Sequence, residues 1–441
     1  MPSLNYLGLE ENRFTGEIPS FILECKNLTY LDLSQNNWNS KIPESVYGNL
    51  KRLEYLNLTN CGLEGKLSSN LSMLSNLKEL RIGNNMFNSP IPTEIGLLSS
   101  LQFLELNNVS AHGEIPSSIG QLKELVHLDL RANFFKFSVP YEIGLCTNLT
   151  FLSLAGNNLT GSIPRDFGKN SPSLTKVYLS NNSFSGELPS YMCSGLNLGV
   201  LSVNNNSFSG PLPNSLRNCS SFTRVRLDDN QFSGNMTEAF GVYPNLNFIS
   251  LSRNRLHGHL SSDWGKCINL TEMEMSGNKL SGRIPSELSK LSKLQFLSLH
   301  SNEFTGNIPP EIGNLSLLYN LNLSLIPTGG VFQKETAEAF VGNSGLCGEV
   351  KGLTCATTLS QENSGGTNKK DVVDQRLPPP TDTLGETIVF TMRVALACTR
   401  AAPESRPTMR SVAQELSATT QACLSLPFGM ITVSKLTGFQ K

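Results

Sequence analysis

The sequence predicts an α/β solenoid, a stack of short coils that lays one parallel β-sheet along a concave face. Two observations predict it. Apolar first positions return at Leu4, Leu28, Leu53, Leu77, Leu101, Leu125, Leu149, Leu174, Leu198, Phe222, Leu246, Leu270, Leu294 and Leu318, spaced 24 or 25 residues apart. Behind each first position the same arrangement of leucines, asparagine, glycine, isoleucine and proline follows, as in Leu149 to Pro164. A fixed period of this size marks units that bury an apolar face only against their neighbours. These first positions number the fourteen coils from Leu4 to Leu318.

Each position in a coil has a physical reason. In Leu149 to Leu154, Leu152 and Leu154 alternate with Phe151 and Ser153. A short strand therefore points leucines inward and variable residues outward. Asn157 stands where Asn12, Asn36, Asn85, Asn133, Asn182, Asn206, Asn230, Asn254, Asn278 and Asn302 stand in other coils. An amide there satisfies backbone groups left unpaired between coils. Leu159 shares its place with Phe14, Trp38, Phe87, Phe135, Phe184, Phe208, Phe232 and Phe304, a spine filling the space behind the strands. The pattern L-x-x-L-x-L-x-x-N-x-L is that of a leucine-rich repeat. Departures are few: Cys61 and Val109 replace the ladder asparagine, and Ser68 and Thr237 replace the proline.

Composition narrows the partners. Charged residues make up 16% of the chain and the formal net charge is -1, which excludes broad attraction to nucleic acid or to an acidic membrane. The most apolar late stretch, Ile388 to Cys398, is short and contains Arg393, so no membrane span is expected. Met1-Pro2-Ser3 leads directly into Leu4, so the expectation is a chain without secretory signal or amino-terminal cap. Of ten cysteines, Cys25, Cys146, Cys219 and Cys267 fall three residues before a first position and are expected to be buried free thiols. Cys61 is expected to be structural too, and Cys193 has no assignment.

The half-repeat L-x-G-x-I-P, as in Phe14-Thr15-Gly16-Glu17-Ile18-Pro19 and Leu280-Ser281-Gly282-Arg283-Ile284-Pro285, is the form found in plant leucine-rich-repeat proteins. With it, residues 1–356 resemble the ectodomain of a plant receptor-like kinase or receptor-like protein of the peptide-sensing kind. The resemblance implies a second edge of strands and a right-handed superhelix. Residues 1–324 form the solenoid on this reading. At residue 326, where the ladder calls for asparagine, stands Ile326, so 325–356 reads as a spliced last repeat followed by a carboxy-terminal cap. Phe340-Val341-Gly342-Asn343-Ser344-Gly345-Leu346-Cys347-Gly348 with Cys355 resembles the family's cap, which implies a disulfide between Cys347 and Cys355 in an oxidising compartment. Residues 357–385 are rich in Thr, Ser, Gly and Pro and read as linker. In 386–441, Cys398 to Met409 resembles the closing helices of a protein kinase's large lobe, which implies a truncated receptor kinase.

No catalytic or cofactor chemistry is expected. A kinase needs a glycine-rich loop, a strand lysine, a catalytic loop and a magnesium-binding Asp-Phe-Gly. Asp166-Phe167-Gly168 matches the last by letter, but Phe167 follows Pro164 as Ile95, Ile119, Ile143 and Ile312 follow their prolines, so it is a repeat anchor. The five histidines, His112, His127, His257, His259 and His300, lack metal-ligand spacing with the cysteines, so no metal site is expected.

Function is therefore expected on the outward strand positions. Fourteen strands about 4.8 Å apart make a face on the order of 65 Å long. One column reads Tyr6, Tyr30, Tyr55, Glu79, Phe103, His127, Phe151, Lys176, Val200, Arg224, Phe248, Glu272, Phe296 and Asn320. The residues expected to bind are Phe103, His127, Asp129, Arg131, Phe151, Lys176, Tyr178, Arg224, Arg226, Asp228, Phe248 and Phe296. Exposed aromatics suit partner contact or pack on one another along the sheet. Arg224-Val225-Arg226 sets two guanidinium groups toward solvent, and in the related receptors an Arg-x-Arg pair reads a peptide's free carboxyl end; ordinary pairing with Asp228 and Asp229 is the other reading.

Thirteen N-x-S/T sequons begin at Asn27, Asn57, Asn70, Asn108, Asn148, Asn158, Asn181, Asn205, Asn218, Asn235, Asn269, Asn314 and Asn322 and accord with a secreted ancestry. Sugar on Asn57 or Asn322, both on the strand face, would favour a ligand near the middle coils. The resemblance implies a secreted peptide or protein ligand, a leucine-rich-repeat co-receptor and a location at the outer face of the plasma membrane. A general interaction scaffold, such as a secreted inhibitor, would use the same face for a folded protein.

Overall fold

The computed structural model describes residues 3–323 and 346–347, all within the first of the chain's two units, Met1–Thr354. The disulfide expected between Cys347 and Cys355, the linker and the kinase-like helices lie outside the described residues.

Every coil contributes one three-residue strand to a parallel sheet whose strands follow chain order, from Tyr6–Gly8 to Asn320–Asn322. Register is one-to-one, so Tyr6 lies beside Tyr30, Tyr30 beside Tyr55 and Arg224 beside Phe248. The backbone of Leu346–Cys347 then pairs with Leu321 and Asn322, extending the sheet by a fifteenth strand. A second parallel edge runs through His112–Gly113, Phe134–Phe137, Asn158–Gly161, Ser183–Gly186, Ser207–Pro211 and Gln231–Ser233, and another through His257–His259, Lys279–Gly282 and Glu303–Phe304. These are the L-x-G-x-I-P segments. The convex side consists mostly of five-residue 3₁₀ turns such as Thr93–Leu97, each entered from an extended proline or serine. Phe167 is buried as a convex anchor, as its place in the repeat requires.

The asparagine ladder welds the coils together. Asn133 Oδ1 accepts from the Val109 and Ala111 amides of the coil before, at 3.1 and 3.0 Å. Its Nδ2 donates to the carbonyls of Leu106, Leu130 and Arg131 at 2.7, 3.0 and 3.2 Å. Where the asparagine is missing, the preceding coil is rewired. With Cys61 and Val109 in that place, the amides of Trp38 and Phe87 donate instead to the backbone carbonyls of Cys61 and Val109. The same two coils put left-handed backbone at Asn39 and Asn88, with Ser40 and Ser89 next, where other coils place left-handed glycine one residue later. Cys61 Sγ donates to the Leu33 carbonyl at 3.1 Å and so preserves one ladder bond.

The aromatic spine is buried from Trp38 to Phe304, but Phe14, in the first coil, is 43% exposed because only one side of it is covered by a described coil. Cys25, Cys61, Cys146 and Cys267 are buried free thiols. Cys219 departs from expectation: it is disulfide-bonded to Cys193, with the Cα atoms 6.0 Å apart. Cys193 lies five residues before Leu198, off the spacing the other cysteines follow. The stacking of adjacent coils nevertheless brings it within bridging distance of Cys219.

Two further pins were not anticipated. Asn76, Asn148, Asn197 and Asn269, each just before a first leucine, donate to a carbonyl one coil back at 2.8–3.1 Å. Thr150, Thr175, Thr223 and Thr271 do the same from just after it.

Candidate functional site: the concave face

Strand alternation turns three residues of each coil toward the concave side, and the register stacks them into columns. In the first column aromatic rings lie parallel to their neighbours. Tyr6, Tyr30 and Tyr55 stack at 4.2 Å between centroids, and His127 lies 4.1 Å from Phe151 and 5.5 Å from Phe103. Ring faces are therefore spent on one another, while ring edges meet solvent. Half-burial of Phe103, His127 and Phe151 follows; Phe296 is half-buried between Glu272 and Asn320, and Phe248, under Arg224, is only 8% exposed. Of the two readings of these aromatics, the rings from Tyr6 to Tyr55 and from Phe103 to Phe151 follow the packing along the sheet.

Around His127 the charges interlock. Arg81 lies between Glu79 at 3.2 Å and Glu105 at 3.3 Å and also covers the Phe103 ring. Asp129 is 4% exposed and accepts from the Arg131 amide at 3.1 Å, with the Arg131 guanidinium 3.4 Å away. It is not the open carboxylate that alternation alone suggested. Burial raises the pKa of Asp129, opposed by its bonds with Arg131, and burial likewise raises that of Glu105, opposed by Arg81. His127 Nε2 lies 3.3 Å from Glu105 Oε1 without the alignment of a hydrogen bond. Burial, with Arg81, Arg131 and Lys176 nearby, lowers the imidazole pKa to about 4, so the ring is neutral near pH 7. Tyr178 completes the cluster, its ring tilted against Phe151 at 5.6 Å.

The two arginines expected to act as one fork are separated by their neighbours. Arg226 forms a bidentate pair with Asp228 at 3.1 and 2.8 Å, and Asp228 is buried at 2% exposure. Asp229 pairs with Arg253. Arg224 has no ion pair among the described residues; its guanidinium lies over the Phe248 ring, 3.8 Å from the centroid. Lys176, two strands away in the same column, is exposed and has no ion pair among the described residues. Two available cations thus stand about 10 Å apart, two strand spacings, and Glu272, two strands beyond Arg224 in the same column, is a carboxylate without an ion pair among the described residues.

The second column also contains residues the sequence reading passed over. Asp32, 5% exposed, accepts from Ser34, Asn57 and the hydroxyl of Tyr55. Asn57 is thus tied into the fold, as is Asn235, which caps the helix Met236–Ala239 by accepting from the Thr237 amide. The same two-residue alternation that identified the first column would have found Arg81 and Glu105. Among the described residues no cluster of His, Cys, Asp and Glu is arranged to hold a metal, and no helix is long and apolar enough to cross a membrane.

Comparison with known proteins agrees with this architecture. Family models described as leucine-rich repeat region, at residues 51–170, and leucine-rich repeat, at 2–63, 173–194, 197–219, 269–291 and 293–315, together match more than half of the chain. Receptor-like protein 32 of Arabidopsis thaliana is 46% identical over 85 residues, 19% of this chain and 9% of its own length. The plant peptide hormone receptor RGFR1, solved in complex with RGF2, superposes with a TM-score of 0.67 at 30% identity, covering 73% of this chain and 56% of that one. PEPR1 with AtPEP1 gives 0.67 at 29% identity over 78% of this chain and 51% of that one. The chain therefore spans about a tenth of that curated relative and little more than half of these solved receptors. With its repeat, its second strand edge and these relatives in agreement, the chain belongs to the leucine-rich-repeat proteins, in the form carried by plant receptor-like proteins.

Proposed function

We propose that this chain is the ligand-recognition part of a plant cell-surface receptor and that its concave face binds a secreted peptide in extended form, without catalysis of its own. The observation that carries the reading is Arg224: a guanidinium over the Phe248 ring and without an ion pair among the described residues, while Arg226 beside it is committed to Asp228. A preorganised, uncompensated arginine binds a carboxylate with less ordering cost than a flexible one. Lys176 supplies a second cation for an acidic side chain, and Phe103, Phe151 and Phe296 offer apolar edges along the same line. RGFR1, a plant peptide hormone receptor, and PEPR1 share this fold, and their solved complexes contain RGF2 and AtPEP1.

The test is a panel of short synthetic peptides offered with free and amidated carboxyl ends. Binders are expected to need the free end and to lose at least about tenfold in affinity on Arg224→Ala, the range for a charge-assisted bond. Arg226→Ala is expected to act chiefly through stability, because it strands buried Asp228. Binders indifferent both to Arg224→Ala and to amidation would remove Arg224 from the site. A folded protein bound equally well by wild type and Arg224→Ala would favour the scaffold reading.

A further inference from the structure

The sixth coil breaks the repeat at three places on its outer edge. Phe137 occupies the position held by Gly113 before it and Gly161 after it, and it keeps their left-handed backbone, at φ 66°. The asparagine ladder dictates that conformation, because the next coil carries Asn157, whose Oδ1 accepts from the Phe135 amide. A bulky side chain is strained there. No burial offsets the strain: Phe137 is 62% exposed, and Phe134, on the same strand, is 56% exposed where the following coils carry Asn158, Ser183 and Ser207. Tyr141, 73% exposed, stands where adjacent coils carry Ser117 and Arg165. Rings held outward against local preference call for a covering group.

The neighbouring strand supplies an attachment point for one. Asn158 lies directly beside the exposed Lys136, and Leu159 beside Phe137, so Asn158 is paired with a residue that has Phe134 two positions before it and Phe137 next to it on the strand. It begins the sequon Asn158-Leu159-Thr160, is exposed, and its side chain makes no hydrogen bond among the described residues. Asn57 and Asn235, by contrast, are engaged in the fold.

We infer that Asn158 carries an N-linked glycan whose first N-acetylglucosamine packs its apolar ring face on Phe134 and Phe137. In the attachment, the Asn158 amide nitrogen displaces the diphosphate from C1 of a polyprenyl-diphosphate-linked oligosaccharide. An N–C1 bond forms, the C1–O bond breaks, the lipid diphosphate departs with the electron pair, and one amide proton is lost. The two parallel strands are about 4.8 Å apart and Phe134 and Phe137 lie within two residues of Lys136, within reach of a sugar ring attached to asparagine. The inference rests on the cell-surface reading above, since only the secretory route supplies that donor.

The full chain, sent through a plant secretory pathway by an added leader, tests it. Glycopeptide mapping is expected to find Asn158 occupied. Asn158→Gln is expected to speed amide exchange of residues 134–137 and 158–161 by about fivefold or more, with distant coils unchanged, because stability in a solenoid is local. In a Phe134→Ser/Phe137→Gly background, which installs residue types that neighbouring coils carry, the same Asn158→Gln change should have no effect. Asn158 found bare while Asn314 carries sugar would overturn the proposal, as would an equal effect of Asn158→Gln in both backgrounds. Secreted protein without sugar at any sequon would overturn the cell-surface reading and this proposal with it.

Discussion

Truncating one rung of the asparagine ladder should unlatch two coils at once. Asn133 is 4% exposed and makes five hydrogen bonds to backbone, three through Nδ2 and two through Oδ1. Asn133→Ala leaves the buried Val109 and Ala111 amides without an acceptor, and three carbonyls lose a donor. An unmatched buried donor costs about 1–3 kcal/mol and an under-bonded carbonyl less, so the total is about 3–5 kcal/mol. Urea denaturation reads the magnitude, and amide exchange reads the place: Val109 and Ala111 should exchange fastest, with the tenth coil and beyond unaffected. The chain itself suggests a compensation. In its fourth coil Asn88-Ser89 accommodates the missing rung at Val109 by turning the Phe87 amide to a backbone carbonyl. Adding His112→Asn and Gly113→Ser to Asn133→Val should therefore recover part of the loss. A cost for Asn133→Ala below about 1 kcal/mol, or a triple variant no better than Asn133→Val, would refute the view that the ladder sets the backbone of the coil before it.

Two further expectations concern chemistry within the solenoid. His127 has a folded-state pKa of about 4 against an ordinary 6.5, so between those values the unfolded chain takes up a proton that the folded chain does not. Stability should fall as pH drops through that window and be flat above it; His127→Phe, which keeps the ring stack, should remove this component in denaturation series from pH 4 to 7. Opening the Cys193–Cys219 bridge by Cys193→Ser should cost about 2–4 kcal/mol, with thermal unfolding of oxidised and reduced protein as the measurement.

What the sequence revealed follows from periodicity. Leucines, ladder asparagines, the spine and the outward columns all repeat, so one coil explains the others and Phe167 is recognised as a core residue. Side-chain pairing within a column does not repeat. Nothing in Arg224-Val225-Arg226 says that Arg226 turns to Asp228 while Arg224 lies on Phe248, because that choice depends on which residues adjacent coils place alongside. The Cys193–Cys219 bridge was hidden for the same reason: spacing along the chain says little about proximity between coils when one cysteine departs from the period. The left-handed Phe137 was legible only once the role of Asn157 in the next coil was known.

The stacked rings have a consequence for specificity. A column that repeats every strand spacing has near-translational symmetry, so an extended ligand resting on aromatic edges alone would fit in several phases, each offset by one coil. Lys176 and Arg224 break that symmetry, and their spacing of about 10 Å corresponds to roughly three residues of extended chain. On the proposed reading the face would measure an interval between two negative charges, with Val200 standing between the two cations.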